Sequence, residues 1–288
     1  MRAEEAIEAA TSAATGVGLP VHDATVVRVG ENGVVLLASA GVLARVVPRA
    51  AMDSDRREIE IADWLASRQV PVVHAARPEP IIVRQYAVSL WEYLPDSRPA
   101  DLVTLAECLR LLHRVPIPRN LLPPLSPFDK FEERLETGAG LDTGDRLFLR
   151  QFRDDVSAQW TTAEFTLGEA VLHGDAHMEN LLVTADGRKA FVDLETVSIG
   201  PPEWDLTLTA LYYECGWFSA KEYADFVQAY GFDVRRSPSW PVLRLIRMLR
   251  MTLWLAQSAD NDPQRLRQLR HRIDTLRDGT APAGWTGY

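Results

Sequence analysis

Val171-Leu172-His173-Gly174-Asp175-Ala176-His177-Met178-Glu179-Asn180-Leu181-Leu182-Val183, followed after a turn by Ala190-Phe191-Val192-Asp193-Leu194-Glu195, is the stretch on which the reading of this chain rests. Two short apolar runs flank Asp186-Gly187, a dipeptide that favours tight hairpin turns, so two strands are expected to carry Asn180 and Asp193 toward one point. Two hard oxygen ligands so placed suit Mg²⁺, which takes one or two protein ligands and completes its shell with phosphate and water oxygens. A second chemistry is open at the same place. His173, Asp175 and His177 alternate and in an extended segment would share one face, as a zinc or iron hydrolase requires. The remaining histidines, His22, His74, His113 and His271, lie singly with no ligand-like spacing.

Asp175 precedes Asn180 by five positions, the spacing at which kinase catalytic loops place an aspartate that accepts the substrate proton and an asparagine that holds metal. His173-Gly174-Asp175, Asn180 and Asp193-Leu194-Glu195 together resemble the signature of the aminoglycoside phosphotransferase family, protein-kinase-like small-molecule kinases related in fold to choline kinase. Gly200-Pro201-Pro202-Glu203-Trp204-Asp205-Leu206 is similar to the element that follows the metal-binding aspartate in that family. Protein kinases proper fit less well, because His-Gly-Asp replaces His-Arg-Asp, Asp-Leu-Glu replaces Asp-Phe-Gly, and no Ala-Pro-Glu occurs.

The resemblance implies an α+β, two-lobed protein-kinase-like fold. A nucleotide-binding lobe over residues 1–94 would hold a small antiparallel β-sheet and a helix, and a larger, mainly helical lobe over 95–288 would supply catalysis and acceptor binding. It further implies transfer of the γ-phosphoryl group of ATP, or of another nucleoside triphosphate, to a hydroxyl of a small molecule such as an antibiotic, amino alcohol or sugar. Asp175 would be catalytic, Asn180 and Asp193 would hold Mg²⁺, and His173 and Asp205 would brace the loop. Glu195 is left outside that ligand set, as a water-mediated or structural residue. A catalytically silent nucleotide-binding module of the same fold is the alternative from another class.

With 288 residues, 47% hydrophobic composition and a net charge of -9, the chain is long enough for two lobes and is expected to be soluble. The absence of a basic tract with interleaved aromatics argues against a nucleic-acid partner. The longest apolar run, Val34 to Ala44, is too short to span a bilayer, and the acidic amino terminus has no apolar leader, so no membrane association is expected. Cys108 and Cys215 form no CxxC pair, which fits a reducing cytoplasm.

In the amino-terminal half, an Ala-rich helix over 2–14 precedes β-branched runs at 24–29, 33–38 and 42–47. Gly30 and Gly33 lie in the first connection, where backbone amides could approach phosphates or simply make a turn. No lysine occurs before Lys130, so Arg45, on the third run, is the available cation for the nucleotide phosphates. A helix over 53–68, capped by Asp53 or Ser54, should carry the carboxylate that orients Arg45. The family pattern favours Glu58, six residues before Trp64-Leu65, over Glu60. Further strands at 72–73, 80–83 and 87–93 lead to Glu92, Tyr93 and Leu94, whose backbone would meet the adenine edge. Beyond Asp101 the pattern is helical, with segments near 102–112, 128–136, 143–160, 205–215, 220–230, 241–259 and 263–277. The last four should wall the acceptor pocket, and the basic balance of residues 211–288 does not favour a polycationic aminoglycoside.

Overall fold

The computed structural model describes residues 1–30, 32–259 and 262–287. Its fold is α+β, and the chain divides into two compact units, one comprising Met1–Ala100 with Met178–Val197, the other Asp101–His177 with Ser198–Tyr288.

The first unit opens with helix α1 (Ala3–Gly16), whose Ala6, Ala9, Ala10, Ala13 and Ala14 are fully buried. Small side chains let the helix lie close on a five-stranded antiparallel sheet of order β1 (Ala24–Val29), β2 (Gly33–Leu37), β3 (Val42–Pro48), β5 (Tyr86–Glu92) and β4 (Ile81–Val83). The face of the sheet under α1 is Val35, Leu37, Val42, Ala44, Val46, Val88 and Leu90, set by the two-residue period of the strands. That period turns Arg45, between Ala44 and Val46, to the opposite face. Gly33 belongs to the helix contact, since a Cβ there would meet the Ala6 Cβ at 2.7 Å and the Met1 sulfur at 2.8 Å. Glu31, between the two glycines of this connection, lies outside the described residues.

Helix α2 (Met52–Ser67) follows β3 directly through a 3₁₀ turn at Arg49–Ala51. The expected side-chain cap by Asp53 or Ser54 is not made. Ala51 occupies the cap position because the turn runs straight into the helix, and Asp53 and Asp55 lie instead in its first turn, where they complement the helix dipole. Val72 makes an isolated bridge with Phe191 in place of a strand of its own. The unit is completed by a three-stranded sheet of order β6 (Arg98–Pro99), β8 (Leu181–Val183) and β9 (Lys189–Phe191). Ala100 donates to the Leu181 carbonyl at 2.8 Å and Val73 to that of Phe191 at 2.9 Å, so the hairpin of residues 181–191 is bonded into the first unit.

Among its described residues the second unit packs seven helices: α3 (Leu102–Leu112), α4 (Phe131–Thr137), α5 (Thr143–Thr161), α6 (Glu203–Glu214), α7 (Ala220–Tyr230), α8 (Trp240–Ser258) and α9 (Pro263–Asp278). A two-stranded antiparallel ribbon, β7 (Ala170–Leu172) with β10 (Ser198–Gly200), accompanies them. Its apolar core runs through Leu135, Leu149, Leu211, Leu249, Leu269, Ile273 and Trp285. Among the described residues no helix is long and apolar enough to cross a membrane.

Candidate active site

Each unit carries its own cluster of predicted residues. In the first, the Arg45 guanidinium is ion-paired to Glu58 through one nitrogen and to Glu195, at 3.0 Å, through the other. Glu58 is buried, while Glu60 is exposed, so α2 presents the former to the cation. The second Glu58 oxygen accepts the Leu194 amide at 3.2 Å, which ties the phosphate-binding candidate to the segment bearing Asp193. Asp55, also buried, bonds the Ser89 hydroxyl at 2.9 Å, and Ser89 receives the Trp91 indole at 2.9 Å. Two carboxylates thus pair with one guanidinium, and the charges of Asp55 and Asp193 act on it as well. Burial, against the pull of Arg45 and helped by Asp193, Asp55 and Glu195, pushes the Glu58 carboxyl up to about 7, while Arg45 stays above its ordinary value because the surrounding carboxylates outweigh its own burial.

Asn180 ends a 3₁₀ turn before β8, and its carbonyl accepts the Val192 amide at 3.0 Å, so Asn180 and Asp193 are held one residue apart across the hairpin. Asp193 adopts a left-handed backbone (φ 58°, ψ 63°), unfavourable for any residue with a Cβ though tolerated best by Asn and Asp. Two neighbouring oxygen donors, one amide and one exposed carboxylate, fit the partial protein shell that Mg²⁺ uses with phosphates. Among the described residues no group of three or more His, Cys, Asp or Glu is arranged to hold a metal by itself.

At the end of β5 the structure divides the three residues expected at the base edge. The Glu92 amide donates to the His74 carbonyl and the Tyr93 amide to that of Gly41, both at 2.9 Å. The Glu92 carboxylate accepts the His74 amide at 2.6 Å and both Arg188 nitrogens. Leu94 alone of the three has an amide without an acceptor among the described residues. Gly30 has open space where a Cβ would stand, and its amide bonds the Asn32 carbonyl at 3.0 Å.

In the second unit the His173-Gly174-Asp175 turn leaves β7 with Gly174 at φ 88°, a conformation that glycine alone adopts freely. Asp205, fully buried in the first turn of α6, accepts the His173 amide at 2.7 Å, the Gly174 amide at 2.9 Å and His113 Nε2 at 3.0 Å. Burial acts to raise the Asp205 carboxyl, but the His113 bond, the neighbouring histidines and the Gly174 amide hold it below the ordinary range. The Gly174 carbonyl, in the next peptide group, is held too, accepting the Trp204 indole at 2.9 Å and Arg247 Nη2 at 2.8 Å. His173 is buried and its ring nitrogen accepts the Asp175 amide at 3.4 Å, so it serves the turn.

The Asp175 side chain keeps 44% of its surface and lies 3.6 Å from His177 Nε2 and 3.5 Å from Arg247 Nη1. Burial works to raise its carboxyl, yet the His177 contact and the Arg247 charge prevail and hold it well below the usual carboxylate range. Such a group stays ionised and is a weak base, suited to orienting a hydroxyl more than to abstracting its proton early. Arg247 itself, 2% exposed, was not singled out in the sequence, although it breaks the apolar stripe of α8 four residues after Leu243.

A model of the phosphotransferase enzyme family matches residues 22–246. No curated protein sequence matches the chain. Among solved structures, the chain is similar over 99% of its length to 98% of an amicoumacin kinase in complex with AMP-PNP, Ca²⁺ and Ami (12% identity, TM-score 0.74). It is similar over 96% of its length to 94% of a choline/ethanolamine kinase family protein from Mesorhizobium loti (18%, 0.63). Over 86% of its length it resembles 99% of an aminoglycoside phosphotransferase from Streptomyces rimosus (17%, 0.63).

Proposed function

Because the chain belongs to the phosphotransferase enzyme family, we propose that it transfers the γ-phosphoryl group of ATP to a hydroxyl of a small molecule. The observation that carries this reading is the Arg45–Glu58 pair with Leu194 on its second oxygen, which couples a phosphate-binding cation to the segment bearing Asp193. The kinases among the similar structures, held with AMP-PNP in one case and with ADP in another, point to the same nucleotide chemistry.

In the proposed mechanism Arg45, oriented by Glu58, grips the nucleotide phosphates with its planar fork, and the Leu94 amide bonds the base edge. Asn180 and Asp193 would hold Mg²⁺, which when bound neutralises charge on the phosphoryl oxygens. Asp175 orients the acceptor hydroxyl and takes its proton as the bond to phosphorus forms. Since the transition state is loose, positioning and charge stabilisation supply most of the acceleration, which suits a low-pKa aspartate on a turn clamped by Asp205. The hydrolase alternative lacks a third metal ligand among the described residues, and His173 is committed to the turn. The buried thiols Cys108 and Cys215 and the family's chemistry fit a cytoplasmic enzyme.

The test is Asp175→Asn. It should lower turnover about 10²–10⁴-fold, as for loss of a positioned acid–base group, while Mg-ATP still raises the melting temperature. Wild-type-like ADP release by this variant would refute the mechanism. No Mg²⁺-dependent stabilisation of the wild type by ATP would favour the silent module.

A further inference from the structure

The second unit holds positive charges beyond the one that steadies Asp175. Arg247 and Arg250, one turn apart on α8, both lie on the indole of Trp204, their guanidinium carbons 4.2 and 5.6 Å from its centroid. Arg247 is engaged by the Gly174 carbonyl and by Asp175. Arg250 has one protein acceptor, the Pro127 carbonyl at 3.1 Å, and no carboxylate within ion-pair distance among the described residues. Arg134, on α4, which packs against α8, has neither an ion pair nor a side-chain hydrogen bond among the described residues, and its charge acts on Arg250.

Some arginines of the same unit are matched by acids, Arg270 and Arg277 by Asp145, Arg235 and Arg244 by Glu214, whereas Arg146, like Arg250, bonds backbone carbonyls. Arg247 and Arg134 act on Arg250 against the charges of Asp175 and Asp129; Asp205, the other acid acting on Arg247, is committed to two backbone amides and His113, and Asp175 is the group assigned to the acceptor hydroxyl. Like charges in a poorly screened setting repel unless a counter-charge is supplied, and the face of one indole supplies little. Burial, with the charges of Arg247 and Arg134, pulls the Arg250 pKa down to about 10, yet its side chain is still reached by solvent, as is that of Asp175. Arg250 and Asp175 are thus both in part open to solvent beside a cluster of positive charge.

We propose that this is an acceptor subsite for an oxyanion: the hydroxyl compound aligned by Asp175 also carries a carboxylate or phosphate group, which Arg250 receives while Arg247 and Arg134 supply the charge behind it. The inference rests on the phosphotransferase reading for its link to the acceptor, but the oxyanion site itself can be tested apart from turnover.

Sulfate is the first probe. In an Arg45→Met background, which removes the nucleotide-phosphate cation, sulfate against chloride at fixed ionic strength should give a saturable rise in melting temperature. Adding Arg250→Met should weaken that binding about tenfold or more, the worth of one charge-assisted hydrogen bond, and Arg250→Lys should recover part of it. General salting-out by sulfate acts on both proteins alike, so an equal response with and without Arg250 overturns the proposal. Should Arg250→Met fail to fold, Arg134→Met serves, with a severalfold weakening expected and an unchanged response counting against the site. The second probe is a matched set of hydroxyl compounds with Mg-ATP: 4-hydroxybutyrate, 3-hydroxypropyl phosphate, 4-hydroxybutyramide and 4-aminobutan-1-ol. Wild-type protein should prefer one of the two anions, which identifies the oxyanion. Arg250→Met should erase the preference through KM with little change in kcat or in KM for ATP. Preference for the amine would overturn it. ADP release from no acceptor, with no Mg-ATP stabilisation, would sink the phosphotransferase reading and leave the sulfate result to decide the site.

Discussion

Asp193 shows how far single residues were legible. Its proposed role as a metal ligand is drawn from sequence spacing, but its left-handed backbone is not, because φ is set by the turn into Leu194–Thr196 and not by residue type. A non-glycine residue held there costs of order 1–2 kcal/mol. Asp193→Gly is therefore expected to keep or raise the melting temperature while losing Mg²⁺-dependent ATP binding, and calorimetry of both properties checks it. If stability and binding fall together, the strain is not stored at Asp193. Arg45 and Glu58 were readable for a different reason. A lysine-free strand half leaves one cation on the central strand, and of the two glutamates on the helix, Glu58 and Glu60, only Glu58 falls on the buried face. Glu195 and Asp55, the other acids around Arg45, give no such signal, since their approach depends on where the hairpin and α2 pack.

Among the elements, α6 carries the most constraint per residue. Its Asp205 holds the His173 and Gly174 amides and His113, and its Trp204 holds the Gly174 carbonyl. Asp205→Ala would leave those buried donors unsatisfied, at about 1–3 kcal/mol each, so a loss of roughly 3 kcal/mol or more is expected in urea unfolding. Because the folded Asp205 carboxyl lies below its unfolded value, the stability it contributes is complete above the ordinary carboxylate pKa and is lost as pH falls through the folded one. Melting temperature should accordingly drop on acidification below about pH 4, and Asp205→Asn should flatten that limb. An unchanged acid limb in the variant would remove Asp205 as its source. The helices of the second unit were largely legible from apolar period, with ends shifted by a few residues. Arg247 was not, since on α8 a lone charge in an apolar stripe reads as noise until the Gly174 carbonyl and Asp175 are seen beside it.

For the whole molecule, the strand half and the helical half could be told apart in the sequence, but the membership of residues 178–197 could not. Pairing of β8 with β6, and of Phe191 with Val72, joins segments about a hundred positions apart, and no local pattern encodes that choice. A fragment of residues 1–100 should therefore be poorly folded and bind no nucleotide. The same fragment joined to residues 178–197 by a short linker after Ala100 should recover cooperative unfolding, since Ala100 already bonds Leu181. Equal stability of the two fragments would show the hairpin to be dispensable. The discontinuity also sets an order of events during synthesis. Residues 1–100 leave the ribosome before residues 178–197 and cannot close the smaller sheet until Phe191 has emerged, so they must wait, unfinished, while residues 101–177 pass. At about 5–20 residues per second that interval lasts on the order of several seconds, during which β6, the Val72–Val73 segment and the Glu58 oxygen that later receives the Leu194 amide are what a chaperone would meet.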